Sequence, residues 1–534
     1  MPTASPAARL LACTALAPCL FAAAPALADE AMDSAAAAPG IVVLGERDED
    51  PPRSATKLPL EVIDTPQSVS VIGQDLIEDF GFDEINDALA VVPGINVEQV
   101  ETDRTYYTAR GFDISWLMVD GLATPNVYGP TSGALDTVFY QRVEVVRGAN
   151  ALLSGIGNPA GTINFVRRRP TGETGGSAAL SYGSWDTIRG EADLDIALDE
   201  TGSWGLRATG AITTGDSHLR DYTSDRYAGQ LVLAGEITPT LSLAMGYSHQ
   251  QNNADNVLWG ALPLLFTDGT PTDYPAGTST TQDWTYWDTT NTRGFAEVAW
   301  NLAQDWTLRT VLTRQDTSSD SELFYVYGTP DRDTGLGLLG YPGAYQYDTG
   351  GWVSDTELSG RFGAFGREHD VTVGVQYSDT SFGYLGRQAP FTDPAWGPLP
   401  ALPDWSGEEV GRPAYGAAQV DADFDYRMWR AFAAARLELT DRLSVIGGAN
   451  YIDVESEGVS YGVDFGRSES ALSPFAGVTF EAIDGVNLYA SYSDIFLPQH
   501  ETGTDYAPLG AAKGESMEIG LKAQTADGAL LGTV

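Results

Sequence analysis

From Thr171 onward the chain alternates apolar with small or polar residues at a period of two, without helical spacing. In Leu241–Ser248 one face reads Leu, Leu, Met, Tyr and the other Ser, Ala, Gly, Ser; Val371–Tyr377 and Val486–Tyr492 repeat the arrangement. Successive side chains of a β-strand point to opposite faces, so this pattern dictates strands and excludes a helical bundle. Two architectures use such strands, a soluble β-sandwich and a transmembrane antiparallel β-barrel. Brief turns such as Thr238-Pro239-Thr240 alternate with long excursions such as 252–291 and 383–427, the asymmetry of an outer-membrane barrel. The small residues of the second face would also fill a sandwich core poorly. The expected fold is therefore a barrel. About fourteen strands can be placed, near 177, 187, 204, 227, 241, 292, 307, 353, 369, 428, 443, 472, 486 and 516, and 528–531 opens another.

Composition agrees and narrows the function. Across 534 residues, 30 Lys and Arg face 73 Asp and Glu, a net charge of −43. A nucleic-acid partner is excluded, because a phosphate-binding surface needs clustered cations. Beyond the N-terminus no apolar run is long enough for a membrane helix. Residues 1–28 read as a signal peptide: Arg9, an apolar stretch from Leu10 to Ala24, then Ala26-Leu27-Ala28 as a cleavage site. Cys13 and Cys19 both fall inside it, which leaves the mature chain without thiol or disulfide chemistry.

Residues 29–54 form a flexible Ala, Pro and acid-rich leader broken by Ile41, Val42, Val43 and Leu44. Such a run suits an extended peptide that adds a strand to a partner's sheet; a chance apolar patch is the plainer reading. Residues 55–172 form a small α/β globule, with a strand at Val69–Val71 and a helix over Gln74–Phe80. A second helix, capped by Asp83, carries Ile85, Ala88, Leu89 and Val92 on one face and stops at Pro93-Gly94. Further strands follow at Trp116–Val119, Val143–Val146 and Thr162–Val166. The barrel takes 173–534.

No catalytic or metal-binding constellation stands out. His218, His249, His369 and His500 are scattered, and Gly155-Ile156-Gly157-Asn158 lacks the continuation of a phosphate loop. Other motifs do stand out. Lys57–Ile72, Asp87–Ile95, Ala109–Asp113, Val119–Gly121 and the long run Arg142–Asn164 occur in order through the globule, with Leu488–Pro498 and Glu518–Lys522 in the barrel. Together they resemble the plug and barrel of TonB-dependent siderophore receptors, nearest the ferric-hydroxamate branch of the coprogen or pyoverdine kind.

The resemblance implies a monomeric Gram-negative outer-membrane importer that takes a ferric siderophore, is coupled to the TonB protein and is surrounded by outer-membrane lipid. The iron travels inside the ligand, with no cofactor and no resident metal. Ile41–Leu44 becomes the TonB box, and the barrel of the complete family has roughly 22 strands around a plugged lumen. The strands placed here fall about seven short of that number, so a fragment of a longer receptor is expected, with a truncated, non-functional product as the alternative. The same scaffold could instead carry vitamin B12, a nickel chelate or an oligosaccharide.

Plug arginines Arg110, Arg142 and Arg147 are expected to pair with strand glutamates, for which Glu438, Glu481 and Glu518 are candidates; plain solvation of these glutamates is the alternative. Ligand contacts are expected from the plug apex, with Arg104, Tyr106, Tyr107, Asn126 and Tyr128 available. From the loops come Trp284, Tyr286, Trp287, Tyr325, Tyr327, Tyr345 and Trp352. Aromatic faces with a few donors suit a bulky amphiphilic chelate; for the tryptophans an interfacial girdle is the competing role.

Overall fold

Nine short strands, two α-helices and two single turns of 3-10 helix precede the long alternating region among the described residues. The computed structural model describes residues 57–534 apart from 126–128, 130, 150–155, 158, 403–404, 500, 502, 505–508, 527 and 529. The expected signal segment, the leader with Ile41–Leu44, and both Asn126 and Tyr128 lie outside the described residues.

The plug strands are β1 (Val69–Gly73), β2 (Asn96–Gln99), β3 (Arg104–Ala109), β4 (Phe112–Asp113) and β5 (Trp116–Val119). They continue with β6 (Leu122–Pro125), β7 (Thr131–Ser132), β8 (Tyr140–Arg147) and β9 (Gly161–Arg167). One sheet has the order β1-β8-β9-β5-β6; the other is β2-β3-β4, with β7 paired to β3. Helix α1 (Gln74–Phe80) buries Ile77 and ends where Gly81 turns to φ 61°. Helix α2 (Ile85–Ala90) presents Ile85, Ala88 and Leu89 to a core shared with Val143, Val145, Ile163 and Phe165. Asp83 does not cap it. The N-cap is Glu84, which makes no side-chain cap bond, and the Asp83 carboxylate lies 3.2 Å from Arg189 of the barrel instead. The second sheet was not foreseen, because the Tyr and Thr alternation of Arg104–Ala109 reads locally like an apical loop.

The wall begins with β10 (Gly175–Tyr182), β11 (Ile188–Ala197), β12 (Trp204–Asp216), β13 (Thr223–Thr238), β14 (Leu241–Asp255) and β15 (Tyr286–Ala303). It continues through β16 (Trp306–Gly328), β17 (Leu338–Ala364), β18 (Arg367–Gln388), β19 (Gln419–Thr440), β20 (Leu443–Ser460) and the two-residue β21 (Val463–Asp464). The last strands are β22 (Arg467–Ile483), β23 (Val486–Leu497), β24 (Ala512–Gln524) and β25 (Leu531–Thr533). All are antiparallel to their neighbours in one sheet of sixteen described strands. A strand stands at every expected position, and β25 answers the opening at 528–531. The strands also run into the expected loops, which shrink to 256–285 and 389–418. At 23 and 27 residues, β16 and β17 far exceed the roughly ten that a membrane requires, so their hairpin projects well beyond it.

The two faces of this sheet have opposite chemistry. Leu231, Met245, Leu312, Val373, Val375 and Ile519 are exposed, whereas Gln230, Gln250, Glu297, Asp355, Gln376 and Arg430 are buried. A soluble sandwich would reverse this arrangement; a lipid-facing barrel requires it. The buried polar face surrounds the plug. Plug groups bond to Asp193 and Arg189 of β11, Arg226 of β13, Gln250 of β14, Glu297 of β15, Gln376 of β18, Asn487 of β23 and Lys522 of β24. No helix among the described residues is long and apolar enough to cross a membrane.

Candidate functional site

The projecting β16–β17 hairpin carries an aromatic wall. Register sets Tyr325 opposite Tyr341, and Trp259 of the 256–285 segment lies against both, with centroids 5.8 and 5.9 Å away. Tyr345 lies 5.5 Å from the same indole and stacks on Tyr384 at 5.7 Å; Tyr327 stacks on Tyr325 at 6.3 Å. Alternate residues of the hairpin, Phe324, Val326 and Leu338, pack with Leu399, Leu402 and Trp405 from the 389–418 segment. Both long connections are thus held against the hairpin by apolar burial.

The plug apex meets this region directly. Arg104 Nε and Nη2 donate to Glu101 at 2.6 and 2.8 Å, and its guanidinium lies 5.6 Å from the centre of the Trp287 ring. Thr102 Oγ1 donates to the Leu258 carbonyl at 3.2 Å. Next to it Asp103 is buried, and burial together with the adjacent Glu101 pushes its carboxyl up to about 8.

Several expected ligand residues are already engaged. Tyr107 belongs to the plug core, and its hydroxyl donates to Asn86 Oδ1 at 2.8 Å; Tyr106, on the other face of β3, is half-buried. Trp287 is buried with Ala254, Val257 and Leu323 and donates to Ser319 Oγ at 3.0 Å. Trp284 donates to the Val410 carbonyl at 2.8 Å, and the Tyr286 hydroxyl donates to Asp320. Trp352 is 49% exposed on the outward face, in line with Tyr377, Trp429 and Tyr451, the girdle arrangement. The sequence missed Trp259, Tyr341 and Tyr384, whose meeting depends on strand register and loop docking.

Charged contacts join plug to wall. Of the expected pairs one forms: Arg110 Nη2 lies 3.7 Å from Glu518. Arg142 and Arg147 find their acceptors within the plug instead, Arg142 two residues along its own strand and Arg147 at β1 and in the turn after α2. Arg142 pairs with Glu144 at 2.7 Å, while Arg147 donates to Ser68, Ser70 and the Pro93 carbonyl. Glu438 pairs with Arg436 of its own strand at 2.9 Å, and Arg436 reaches plug Asp64 at 3.4 Å. Glu481 stands near the short-turn end of β22, where its backbone N–H donates to the Arg442 carbonyl.

The stronger pairs come from residues not singled out. Plug Asp136, fully buried, accepts from Arg189 and Arg226 of the wall, each at 2.8 Å. Arg168 and Arg169, following β9, reach Asp193 and Glu297 at 2.8 and 2.9 Å, and Arg309 shares Glu297. Asp120 takes Arg167 at 2.9 Å and Arg169 at 3.0 Å; burial alone would raise its carboxyl, but these two cations hold it down to about 2. Lys57 sits between Asp355 and Glu357, at 3.6 and 3.8 Å. Burial draws its ammonium below the usual lysine value in spite of both carboxylates. One signal was available: Arg167-Arg168-Arg169 is a rare triple in a chain so poor in cations.

A lipid-facing antiparallel wall with a separate α/β plug fixed in its lumen by charge pairs defines the class of plugged outer-membrane barrels. Two family models match: the TonB-dependent receptor-like β-barrel over residues 238–534 and the TonB-dependent receptor plug domain over 61–162. The chain belongs to the TonB-dependent receptor family, whose members are β-barrels of the outer membrane.

Among relatives, a ferripyoverdine receptor of Pseudomonas aeruginosa is 30% identical over 491 residues, covering 89% of this chain and 58% of the relative. A ferrioxamine B receptor of Salmonella typhimurium is 26% identical over 490 residues, covering 88% and 66%. The crystal structure of the Pseudomonas aeruginosa ferripyoverdine receptor bound to ferripyoverdine matches with a TM-score of 0.84 at 28% identity, over 90% of this chain and 64% of that one. The alcaligin receptor of Bordetella pertussis matches with a TM-score of 0.71 at 27% identity, over 91% and 72%. The chain spans 58% and 60% of the length of two pyoverdine receptors it matches.

Proposed function

We propose that the complete receptor binds a ferric siderophore between the plug apex and the aromatic wall and imports it through the lumen. The observation that carries this reading is the wall of Trp259, Tyr325, Tyr341 and Tyr345 beside the apical segment 101–104. Aromatic faces with flanking hydroxyls bind a bulky, partly apolar chelate, and nearby polar groups orient it. The names of the relatives, receptors for ferripyoverdine and ferrioxamine B, favour a hydroxamate-bearing ligand. In this reading residues 1–28 are removed on export and 29–54 are the leader. Ile41–Leu44 pairs with the edge of a TonB sheet, and traction through the leader works against the charge pairs of the plug, residues 55–172.

The test is uptake of iron-55 carried by pyoverdine and by ferrioxamine B, in a host lacking its own receptors for them and expressing the complete gene. Deleting Ile41–Leu44 should abolish uptake while surface binding persists. Tyr325→Ala combined with Trp259→Ala should weaken binding about tenfold or more. Absence of hydroxamate binding, or normal uptake by the deletion, would overturn the reading.

A further inference from the structure

A cavity of about 190 Å³ lies between the plug and the inner wall of β13–β17, and none of Trp259, Tyr325, Tyr341 and Tyr345 lines it. Its lining includes Ser132, Tyr140 and Arg167 of the plug and Asn291, Arg293 and Gln315 of the barrel, and no described aspartate or glutamate. In a chain with 73 acids and 30 bases that is an unusual surface. Arg167 is neutralised by Asp120 at 2.9 Å. Arg293 has no ion-pair partner of its own: its Nη2 donates to the neutral Gln315 Oε1 at 2.8 Å, among the described residues no carboxylate oxygen lies within the 4.0 Å of an ion pair, and Asp120, which acts on it from further away, is already shared by Arg167 and Arg169. Elsewhere in the lumen Lys57, Arg168, Arg169, Arg189, Arg226 and Arg309 each have a carboxylate within that distance.

Two further donors at the cavity lack acceptors. Asn291 Oδ1 accepts from Thr317 Oγ1 at 2.8 Å, while its buried Nδ2 has no partner. Ser132 is only 6% exposed, and its hydroxyl is likewise unpartnered. A cation and two neutral donors around one recess leave an unbalanced charge and unmet hydrogen bonds. Water can meet the bonds, but only an anion meets the charge as well. The space is far larger than a single water needs and leaves room for a small oxyanion with some hydration. We propose that this cavity binds a small oxyanion of the carboxylate or phosphate class, with Arg293 as its counter-ion and Asn291 Nδ2 and Ser132 Oγ as additional donors. The inference does not depend on which ligand the receptor imports.

The experiment follows the thermal unfolding midpoint of the full chain in detergent micelles by tryptophan fluorescence, at constant ionic strength, as sodium phosphate or acetate replaces chloride. A ligand of the folded state raises the midpoint with concentration. The wild type should respond saturably to at least one of the two anions. Arg293→Gln should raise the half-saturating concentration at least tenfold, with Arg293→Lys between the two. Asn291→Asp, which supplies a carboxylate beside Arg293 from the protein itself, should flatten the response. It also decides the matter if Arg293→Gln does not fold. A wild type indifferent to both anions would overturn the proposal, as would an Asn291→Asp response equal to wild type.

Discussion

Asp136 is the strongest tie, since one buried carboxylate accepts from two wall arginines and from the Val138 N–H at 2.9 Å. Asp136→Asn would leave Arg189 and Arg226 with Asp83, Glu84 and Glu191, all of them more exposed. We expect a loss of about 3 kcal/mol in plug stability, read from denaturant unfolding in micelles. Asp103 acts in the opposite sense. Its folded carboxyl titrates near 8 against an ordinary 3.8, so the native state holds a proton that the unfolded chain has released. Stability therefore falls as pH rises between those values and is unaffected below the lower one. Asp103→Asn should raise the unfolding midpoint at pH 7 and leave it unchanged at pH 3; an equal rise at both would exclude this cause.

Among elements, the wall strands share a packing device. Trp204 lies over Gly235, Trp306 over Gly360, Phe432 over Gly374 and Tyr489 over Gly520, each ring directly across the ladder from its glycine. An added Cβ at Gly360 would lie 2.5 Å from Trp306 Cδ2, whereas one at Gly363 meets nothing within 4 Å. Gly360→Val should cost about 1–3 kcal/mol by displacing the indole, and Gly363→Val should lie well below it when both are unfolded in denaturant. Much of the element level was legible beforehand. The period-two pattern is a local property imposed by lipid on one side and a wet lumen on the other, and it located the wall strands. The length of β16 and β17 was not legible, because above the membrane the lipid constraint ends and alternation fades. Nor were the charge pairs. Arg110 and Glu518 matched by type, but Asp136 with Arg226 or Arg169 with Glu297 depends on how the plug is rotated in its barrel, which no window of sequence encodes.

For the whole molecule, the order in which these ties are met matters. Lys57 precedes Asp136 and Arg169 in the chain, and it is gripped by Asp355 and Glu357. Traction from the N-terminus would load this pair before Asp136 or Arg169. Lys57→Met should speed amide hydrogen exchange at Leu58 and Leu60 about tenfold while that of Val143 and Ile163 in the plug core stays unchanged, measured by mass spectrometry. Uniform acceleration across the plug would show that the segment 57–60 does not open separately from the plug core.

The division of charge between plug and wall has one more outcome. The plug supplies carboxylates to Arg189 and Arg226 but cations to Asp193, Glu297, Asp355 and Glu357. In the proposed import cycle its withdrawal would uncover charges of both signs, Arg189 and Arg226 beside Asp193 on β11 and β13, and Asp355 and Glu357 on β17. Departure of the plug would thus do more than clear an obstruction: it would turn a paired lining into a set of open counter-charges that a passing ligand, or the returning plug, can meet.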